Sequence, residues 1–444
     1  MRYALVLALV SCGRLAFDDA SSHDGGPPGV EAPGGEARTV RLVVTADYTP
    51  QGSGPFVPLG TPIESATVLV DRGTGALERL VTDAQGSVTF DTDGLVAYHV
   101  VHGSSNWWRV YTVATGATGT VSLGGVAPPG AGGEVTMVLP TSSDDWFRAH
   151  LPEGCQSIFD AFSTPTVSIQ YNPACAGQTV RVLGFTTPDF DNVRYVDAGR
   201  IKLAPGTRST VTGTYAAMPT HSIALTNVPA GTQRVSAEIL ARDQSVLMPM
   251  EFGSPDQVQV TGPTMMLTAT AAPGGDTLRV NADMGRLGRA YSSATGAVVP
   301  ISFSAAPISA SFDASTLLAP FTSFDFDSKL NVSWAGGDGT GTMLVMQLSA
   351  DSIEWHAYLP TTATALSFPA IPGDIGFPRA PRVYTVAISR IDVPGATAVG
   401  LTPTIDQTFQ RWPNDPALFP PSGNRSAGAA FVSGLVTDPS ARAR

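Results

Sequence analysis

The chain has 444 residues, which is enough for roughly three domains of ordinary size. Its net charge is −11 and no cluster of Lys and Arg occurs along it, so the composition argues against binding of nucleic acid. Charged residues make up only 14%, below the typical value of about 25%, while Gly and Pro contribute 46 and 36 residues. Frequent turns and the lack of long helical patterns favour an almost entirely β protein.

The first dozen residues carry the marks of an export signal. Arg2 precedes a short apolar run over 3–10 that cannot span a bilayer as a helix. The residues Leu-Val-Ser-Cys at 9–12 resemble the lipobox of bacterial lipoproteins. This resemblance implies that the signal peptide 1–11 is removed and that Cys12 is acylated. The alternative is a buried strand or an apolar start without function, because short apolar runs are ambiguous.

Residues 12–38 are expected to form a disordered tether. The segment is rich in Gly, Pro, Ala, Asp, Glu and Ser and has almost no large apolar residue after Phe17, so it cannot offset its ordering entropy by burial. Lipid chains on the cysteine would anchor the protein to a membrane. In the lipoprotein family the next residue influences sorting, and Gly13 in place of Asp favours the outer membrane. We therefore expect a lipid-anchored protein of the bacterial cell envelope.

Residues 39–140 are predicted to form a first β-sandwich. Within it, Thr82, Asp83 and Gly86 make a Thr-Asp-x-x-Gly turn that resembles the turn of carboxypeptidase regulatory-like domains, in the prealbumin-like sandwich group. The resemblance implies a small seven-stranded spacer or scaffold domain and no catalytic residues. About seven strands are predicted, at 40–45, 66–70, 77–81, 87–90, 98–101, 107–113 and 134–139.

Residues 141–272 are predicted to form a second β-sandwich, which contains a disulfide. Without the acylated cysteine, Cys155 and Cys175 remain, an even number in a chain that carries an export signal. A strand over 166–171 would bring the two together. The alternative is a reactive thiol, with His150 as a nearby base, but no nucleophile motif surrounds it. Further strands are predicted at 179–185, 210–215, 221–225 and 233–240.

Residues 273–413 are predicted to form a third β-sandwich, similar to fibronectin type III domains, with Trp334 and Trp355 in or beside its core. The tail, 414–444, is expected to be loosely ordered, with 432–436 as a candidate edge strand. The whole chain is thus predicted to be all-β, with tandem Ig-like, prealbumin-like or fibronectin III-like sandwiches after a disordered tether. The best strands of the third sandwich are predicted at 330–334, 342–348, 354–359, 365–368 and 382–388.

No recognisable catalytic or metal-binding motif occurs in the sequence, and no cofactor is expected. His99 and His102 would point to opposite faces of a strand. The acidic segment 91–94 is better explained as a turn than as a calcium loop. Two Asp-Phe-Asp segments, 189–191 and 325–327, each place two carboxylates on one side of an extended chain and are weak cation candidates.

The Gly-rich segment 336–341 has neither the Lys nor the helix that a phosphate-binding loop requires, and it is predicted to be a flexible loop. The most suggestive binding feature is the pair Trp107 and Trp108. Adjacent strand residues face opposite ways, so one ring should lie on the outer face, where it could stack on a sugar or a peptide. The alternative is that a loop or a neighbouring domain covers that ring.

These features together predict a non-catalytic surface lipoprotein that acts as a scaffold, spacer or interaction module at the cell envelope. Its expected partners are the membrane, through the lipid anchor, and an envelope protein or glycan. One alternative is a carbohydrate- or peptidoglycan-binding surface protein that uses Trp107 or Trp108. Another is an envelope hydrolase without a recognisable motif.

Overall fold

The structure is a computed structural model in which strands dominate, and the expected all-β class is confirmed. Within the described part of the chain, the short helical elements are two 3-10 helices, Ala314–Thr316 and Gly373–Ile375. Among the residues described, no helix has the length and apolar character needed to cross a membrane. The structure describes residues 39–46, 61–91, 93, 95–104, 107–114, 119–122, 133–144, 146–152, 155, 160–171, 175–188, 192–243, 246–252, 255–287, 291–301, 309–327, 330–337, 341–350, 353–369, 371–375, 383–392 and 427–437.

The first sandwich packs two sheets around a core of alternating apolar residues, such as Leu42 and Val100. One sheet contains β1 (Thr39–Ala46), β2 (Thr61–Pro62), β5 (Ser87–Asp91) and β8 (Gly119–Ser122). The facing strands are β3 (Thr67–Asp71), β4 (Leu77–Val81), β6 (Ala97–Ser104) and β7 (Trp107–Val113).

The Thr-Asp-x-x-Gly turn has the geometry that its residues predict. Asp83 Oδ1 accepts hydrogen bonds from the backbone N–H of Gln85 and of Ser87, at 2.9 and 2.7 Å. Gly86 has a φ of +68°, and a Cβ there would lie 2.4 Å from the carbonyl oxygen of Val44. Glycine is therefore required both by the backbone conformation and by the close approach of β1.

The second sandwich contains the disulfide, and the predicted pairing of Cys155 with Cys175 is confirmed. Both cysteines are buried in the core between its two sheets. One sheet contains β9 (Gly133–Val138), β12 (Thr166–Tyr171) and β15 (Thr207–Thr210). The other contains β10 (Trp146–His150), β11 (Asp160–Phe162), β13 (Thr179–Thr187), β14 (Arg194–Lys202) and β16 (Ala216–Ala217).

The third sandwich follows the same plan, with Leu267 and Val280 from its two sheets buried in its core. One sheet contains β17 (Thr220–Thr226), β21 (Met265–Thr270) and β24 (Ser309–Asp313). The strands packed against it are β18 (Arg234–Asp243), β19 (Val246–Pro249), β20 (Val258–Gln259), β22 (Thr277–Leu287) and β23 (Tyr291–Pro300).

The fourth sandwich buries Trp334 and Trp355, as predicted; they are 5% and 0% exposed. Its small sheet contains β25 (Phe321–Phe326), β26 (Asn331–Gly336) and β29 (Ala365–Ser367). Packed against that sheet are β27 (Met343–Ala350), β28 (Ile353–Leu359), β30 (Val383–Asp392) and β31 (Ala427–Thr437).

A single sheet of 13 strands connects the first, third and fourth sandwiches. Within the predicted tail, β31 lies between β23 and β30, an interior position rather than the expected edge. The large sheet thus joins strands from all three predicted units, and the boundaries at 39–140, 141–272 and 273–413 stay a prediction. Its strand order is β19-β18-β22-β23-β31-β30-β27-β28-β7-β6-β3-β4, with β20 beside β18.

Candidate functional site

The candidate site is the seam, which we define as the parallel pair of β7 and β28. All other strand pairs of the 13-stranded sheet are antiparallel. The register runs from Trp108 opposite Ile353 to Val113 opposite Tyr358. Because side chains alternate along each strand, one face of the seam carries charged groups and the other is mainly apolar. The seam is the contact through which the first sandwich continues into the fourth.

A buried charged cluster occupies the polar face of the seam. Arg109 Nε donates to Glu354 Oε2 at 3.0 Å, and the side chains are only 11% and 7% exposed. The other carboxylate oxygen, Oε1, lies 2.8 Å from His356 Nε2. The imidazole of His356 stacks on the ring of Tyr111, with centroids 5.0 Å apart and planes 10° apart. Strands from both sandwiches therefore supply the cluster.

The electrostatics of the cluster favour the ionised carboxylate. Burial alone would raise the pKa of Glu354, but the hydrogen bond and charge of His356, together with Arg109, lower that pKa to about 2. On the neighbouring β6, the pKa of His102 is lowered by burial and by the positive charge of Arg109 opposite it. Glu354 is thus a fixed anion between its partners at any physiological pH.

The opposite face of the seam contains a second polar contact inside the apolar core. Trp355 Nε1 donates to Thr112 Oγ1 at 2.9 Å, and His99 Nδ1 lies 2.9 Å from the same oxygen. Burial lowers the pKa of His99 to about 4, so the ring is neutral at pH 7. His99 and His102 lie on opposite faces of β6, as strand alternation requires.

The polar groups of the seam are placed to hold the two strands together. A carboxylate that orients an imidazole is the arrangement used in acid–base catalysis. Here, however, His356 is 2% exposed and its ring is stacked on Tyr111, so a substrate cannot reach it. Removing one partner of a buried ion pair leaves the other charge uncompensated, which strongly destabilises the fold that holds the two together.

The predicted tryptophans lie on the same strand, β7. Trp108 is half-buried, and its neighbours across the sheet are Gly103 on β6 and Ile353 on β28. Its ring packs against the core of the fourth sandwich. For Trp107 the structure describes the backbone, while its side chain is outside the described part. Cys12, the predicted lipidation site, also lies outside it.

The acidic motifs are engaged in local contacts. Asp91 Oδ1 and the backbone carbonyl of Asp93 both accept from the Arg72 guanidinium, so an arginine takes the place that a cation would have in a calcium loop. Asp327 accepts from the backbone and side-chain N–H groups of Asn331, at 2.9 and 2.7 Å. The segment 189–191 lies outside the described residues.

The Gly-rich segment 336–341, of which 338–340 lie outside the described part, borders a socket for Arg390. Gly337 has a φ of +78°, and a Cβ there would lie 1.4 Å from Arg390 Nη1. Arg390 is 3% exposed, donates to the carbonyl oxygen of Gly336 at 2.9 Å and lies 5.2 Å above the ring of Phe321. The glycine thus makes room for a buried guanidinium.

A metal site was not predicted, and within the described residues no three His, Cys, Asp or Glu side chains converge as metal ligands. The residues of the seam that sequence reasoning missed are Arg109, Glu354 and His356. The available signal was weak: in the run 353–359 a Glu and a His alternate with apolar residues, which places both on one strand face. Their partner is 245 residues away, so no local pattern identifies it.

No protein-family profile and no curated protein matches this sequence. Among solved structures, the chain is similar to BcpA, the major pilin subunit of Bacillus cereus, at 8% identity over 63% of this chain and 99% of that one, with a TM-score of 0.14. The Bacillus anthracis TIE protein has 8% identity over 62% and 50% of the two chains, with a TM-score of 0.15. A streptococcal ancillary pilin has 8% identity over 62% and 99%, also with a TM-score of 0.15. At these values the likeness carries no argument about function.

Proposed function

We propose that this protein is a non-catalytic scaffold or spacer of the bacterial cell envelope, anchored by an acylated Cys12. The observation that carries the proposal is the seam. Through it a strand of the first sandwich and a strand of the fourth are hydrogen-bonded within one sheet, with a buried ion pair between them. A protein built in this way holds its parts in fixed relative positions, which is what a scaffold requires.

A second junction supports the same interpretation. Arg148, on β10 of the second sandwich, is buried; its guanidinium lies 4.6 Å from the ring centroid of Phe252 and donates to the Phe252 carbonyl oxygen at 2.7 Å. Phe185 packs edge-on against the same ring, with centroids 5.9 Å apart. The second and third sandwiches therefore share a packed contact, whereas domains that move relative to one another usually meet through small polar interfaces.

The alternative of glycan or peptidoglycan binding through Trp107 or Trp108 receives less support. Trp108 packs on the core of the fourth sandwich, and this contact accounts for it without a ligand. The large apolar side chains that are exposed in the described part are Val81, Val258 and Met266, none of which is aromatic. An aromatic shelf for a sugar is therefore not formed by the described residues.

The proposal is tested by expressing the full chain in a bacterium, as wild type and as Cys12→Ser, and measuring the mass of the protein from the membrane fraction. We expect an acylated N-terminus at Cys12 in the wild type, and release from the membrane fraction in the variant. A Glu354→Ala variant should keep the anchor but become sensitive to added protease. An unprocessed Met1 would contradict the anchor, and unchanged protease resistance would contradict the scaffold.

A further inference from the structure

One sheet face of the second sandwich concentrates positive charge in a chain whose net charge is −11. Across β13 and β14, Arg181 lies directly opposite Arg200, and Thr179 lies opposite Lys202. Residues two apart on a strand point the same way, so these three cations share one face. The intervening residues, including Val180, point to the core instead. We call this surface, made by Arg181, Arg200 and Lys202, the basic face.

The basic face is held in place by hydrogen bonds within the sheet. Arg181 Nη2 donates to Asp197 at 2.7 Å, and Asp197 is the one acidic residue in the two strands. Arg200 Nη2 donates to the carbonyl oxygen of Thr179 at 2.9 Å. Arg200 and Lys202 are exposed, and Lys202 is one of only two lysines in the chain. The surface is therefore net positive, and its two arginines are held by hydrogen bonds.

The basic face lies beside a junction between sandwiches. At the other end of the same sheet face, Phe185 and Tyr195 are covered by the core of the third sandwich. The Arg181 guanidinium reaches the turn at Gly274 of that sandwich. The cations thus occupy the part of the sheet face that the third sandwich leaves uncovered, and a ligand there would contact a rigid surface rather than a loop.

We propose that the basic face binds the anionic lipid headgroups of the membrane to which the chain is tethered. This proposal rests on the envelope location proposed above. Guanidinium groups match the geometry of phosphate oxygens, and each basic residue near an anionic bilayer strengthens binding about fivefold. A few cations give weak binding alone, but a tether raises their effective concentration at the bilayer. The contact would set which side of the scaffold faces the membrane.

The test uses the full chain with Cys12→Ser, so that binding does not depend on acylation. Partition is measured onto vesicles of phosphatidylcholine alone and of an equal mixture with phosphatidylglycerol. The variant Arg200→Gln/Lys202→Gln is compared with Arg41→Gln/Arg208→Gln, which removes two exposed cations from other faces. The apolar residues 1–11 are present in all these proteins, so any vesicle binding that they cause is the same in each and cancels in the comparison.

We expect a preference for the anionic vesicles that weakens as salt is added, since charge attraction is screened. Loss of both cations on the basic face should lower that preference roughly 25-fold, at about fivefold per cation, while the control variant stays close to the parent protein. Equal losses in both variants, or no preference in the parent protein, would overturn the proposal. Binding to soluble dextran sulfate but not to vesicles would also overturn it, in favour of an acidic polymer as the partner. Whether Cys12 is acylated is tested separately, by the mass of the wild-type protein from the membrane fraction, so failure of the anchor is distinguished from failure of the basic face.

Discussion

Two buried glutamates show how the surroundings decide the charge of one side-chain type. Glu354 lies between Arg109 and His356, and despite its burial its pKa falls to about 2. Glu251 is 6% exposed and accepts one hydrogen bond, from the backbone N–H of Ile239 at 3.0 Å. Burial raises the pKa of Glu251 to about 8, and the nearby carboxylate of Glu238 acts in the same direction. The first glutamate is an anion at neutral pH, and the second is mostly protonated.

Replacing Glu251 with Gln should remove a pH dependence of stability. Because the pKa is raised in the folded state, unfolding releases a proton between pH 4.5 and about 8. The free energy of unfolding should fall by up to about 5 kcal/mol across that window in the wild type, and much less in Glu251→Gln. Urea unfolding at pH 5 and pH 8.5 measures this, with exposed Glu64→Gln as the control. An unchanged slope in Glu251→Gln would contradict the assignment.

Removing Glu354 should be strongly destabilising. In Glu354→Ala, Arg109 and His356 lose their shared carboxylate, and the free energy of unfolding should fall by about 3–5 kcal/mol at pH 7. Since the pKa of Glu354 is depressed, this contribution is present above about pH 4.5 and is lost as the pH falls towards 2. The exposed ion pair of Arg72 with Glu78 is the control, and Glu78→Ala should cost less than about 1 kcal/mol. Equal losses in the two variants would contradict the role of the buried charged cluster.

The residue-scale features that could be predicted from the sequence depend on the number of cysteines or on contacts between residues close in sequence. The Cys155–Cys175 pair was predicted from the two cysteines that remain once Cys12 is assigned to the lipobox, and the turn at Asp83 follows from hydrogen bonds within five residues. The ion pair of Arg109 with Glu354 joins residues 245 apart, and its existence depends on a strand pairing that leaves no local trace.

At the scale of elements, Gly337 leaves room for the buried guanidinium of Arg390 in the fourth sandwich. Gly337→Ala would place a methyl group against the Arg390 guanidinium in a left-handed backbone conformation. Gly75→Ala, with a φ of +81° and no atom near its Cβ, is a matched control for backbone strain alone. We expect a loss of about 1–2 kcal/mol in the control and a clearly larger loss in Gly337→Ala, measured by thermal unfolding. Equal losses of stability in Gly337→Ala and Gly75→Ala would mean that the space beside Arg390 does not contribute to stability.

Strand positions were predicted better than strand partners. The run 77–81 is strand β4 as predicted, and 107–113 is β7. In contrast, 210–215 was predicted as a strand, whereas the structure has β15 ending at Thr210 and β16 beginning at Ala216. Alternation of apolar residues fixes where a strand lies and which side faces inward. It does not say that β28 pairs with β7 or that β31 lies inside the sheet, because pairing is decided by packing over the whole chain.

At the scale of the whole molecule, the large sheet makes the sandwiches interdependent. The first sandwich presents β7 to the fourth through six residue pairs and the buried cluster, so local opening of one should expose an edge of the other. Among the described residues, the second sandwich contributes no strand to that sheet, and it carries its own disulfide. The second sandwich therefore serves as the internal reference when coupled opening of the first and fourth sandwiches is measured.

The measurement that tests this account most directly is native-state hydrogen exchange on the full chain, wild type against Glu354→Ala. We expect faster amide exchange in β6 of the first sandwich and in β27 of the fourth, with β12 of the second sandwich unchanged. Faster exchange in the fourth sandwich alone, with β6 as protected as in the wild type, would contradict it. The sandwiches would then be independent units, and the seam would be a contact without a structural role.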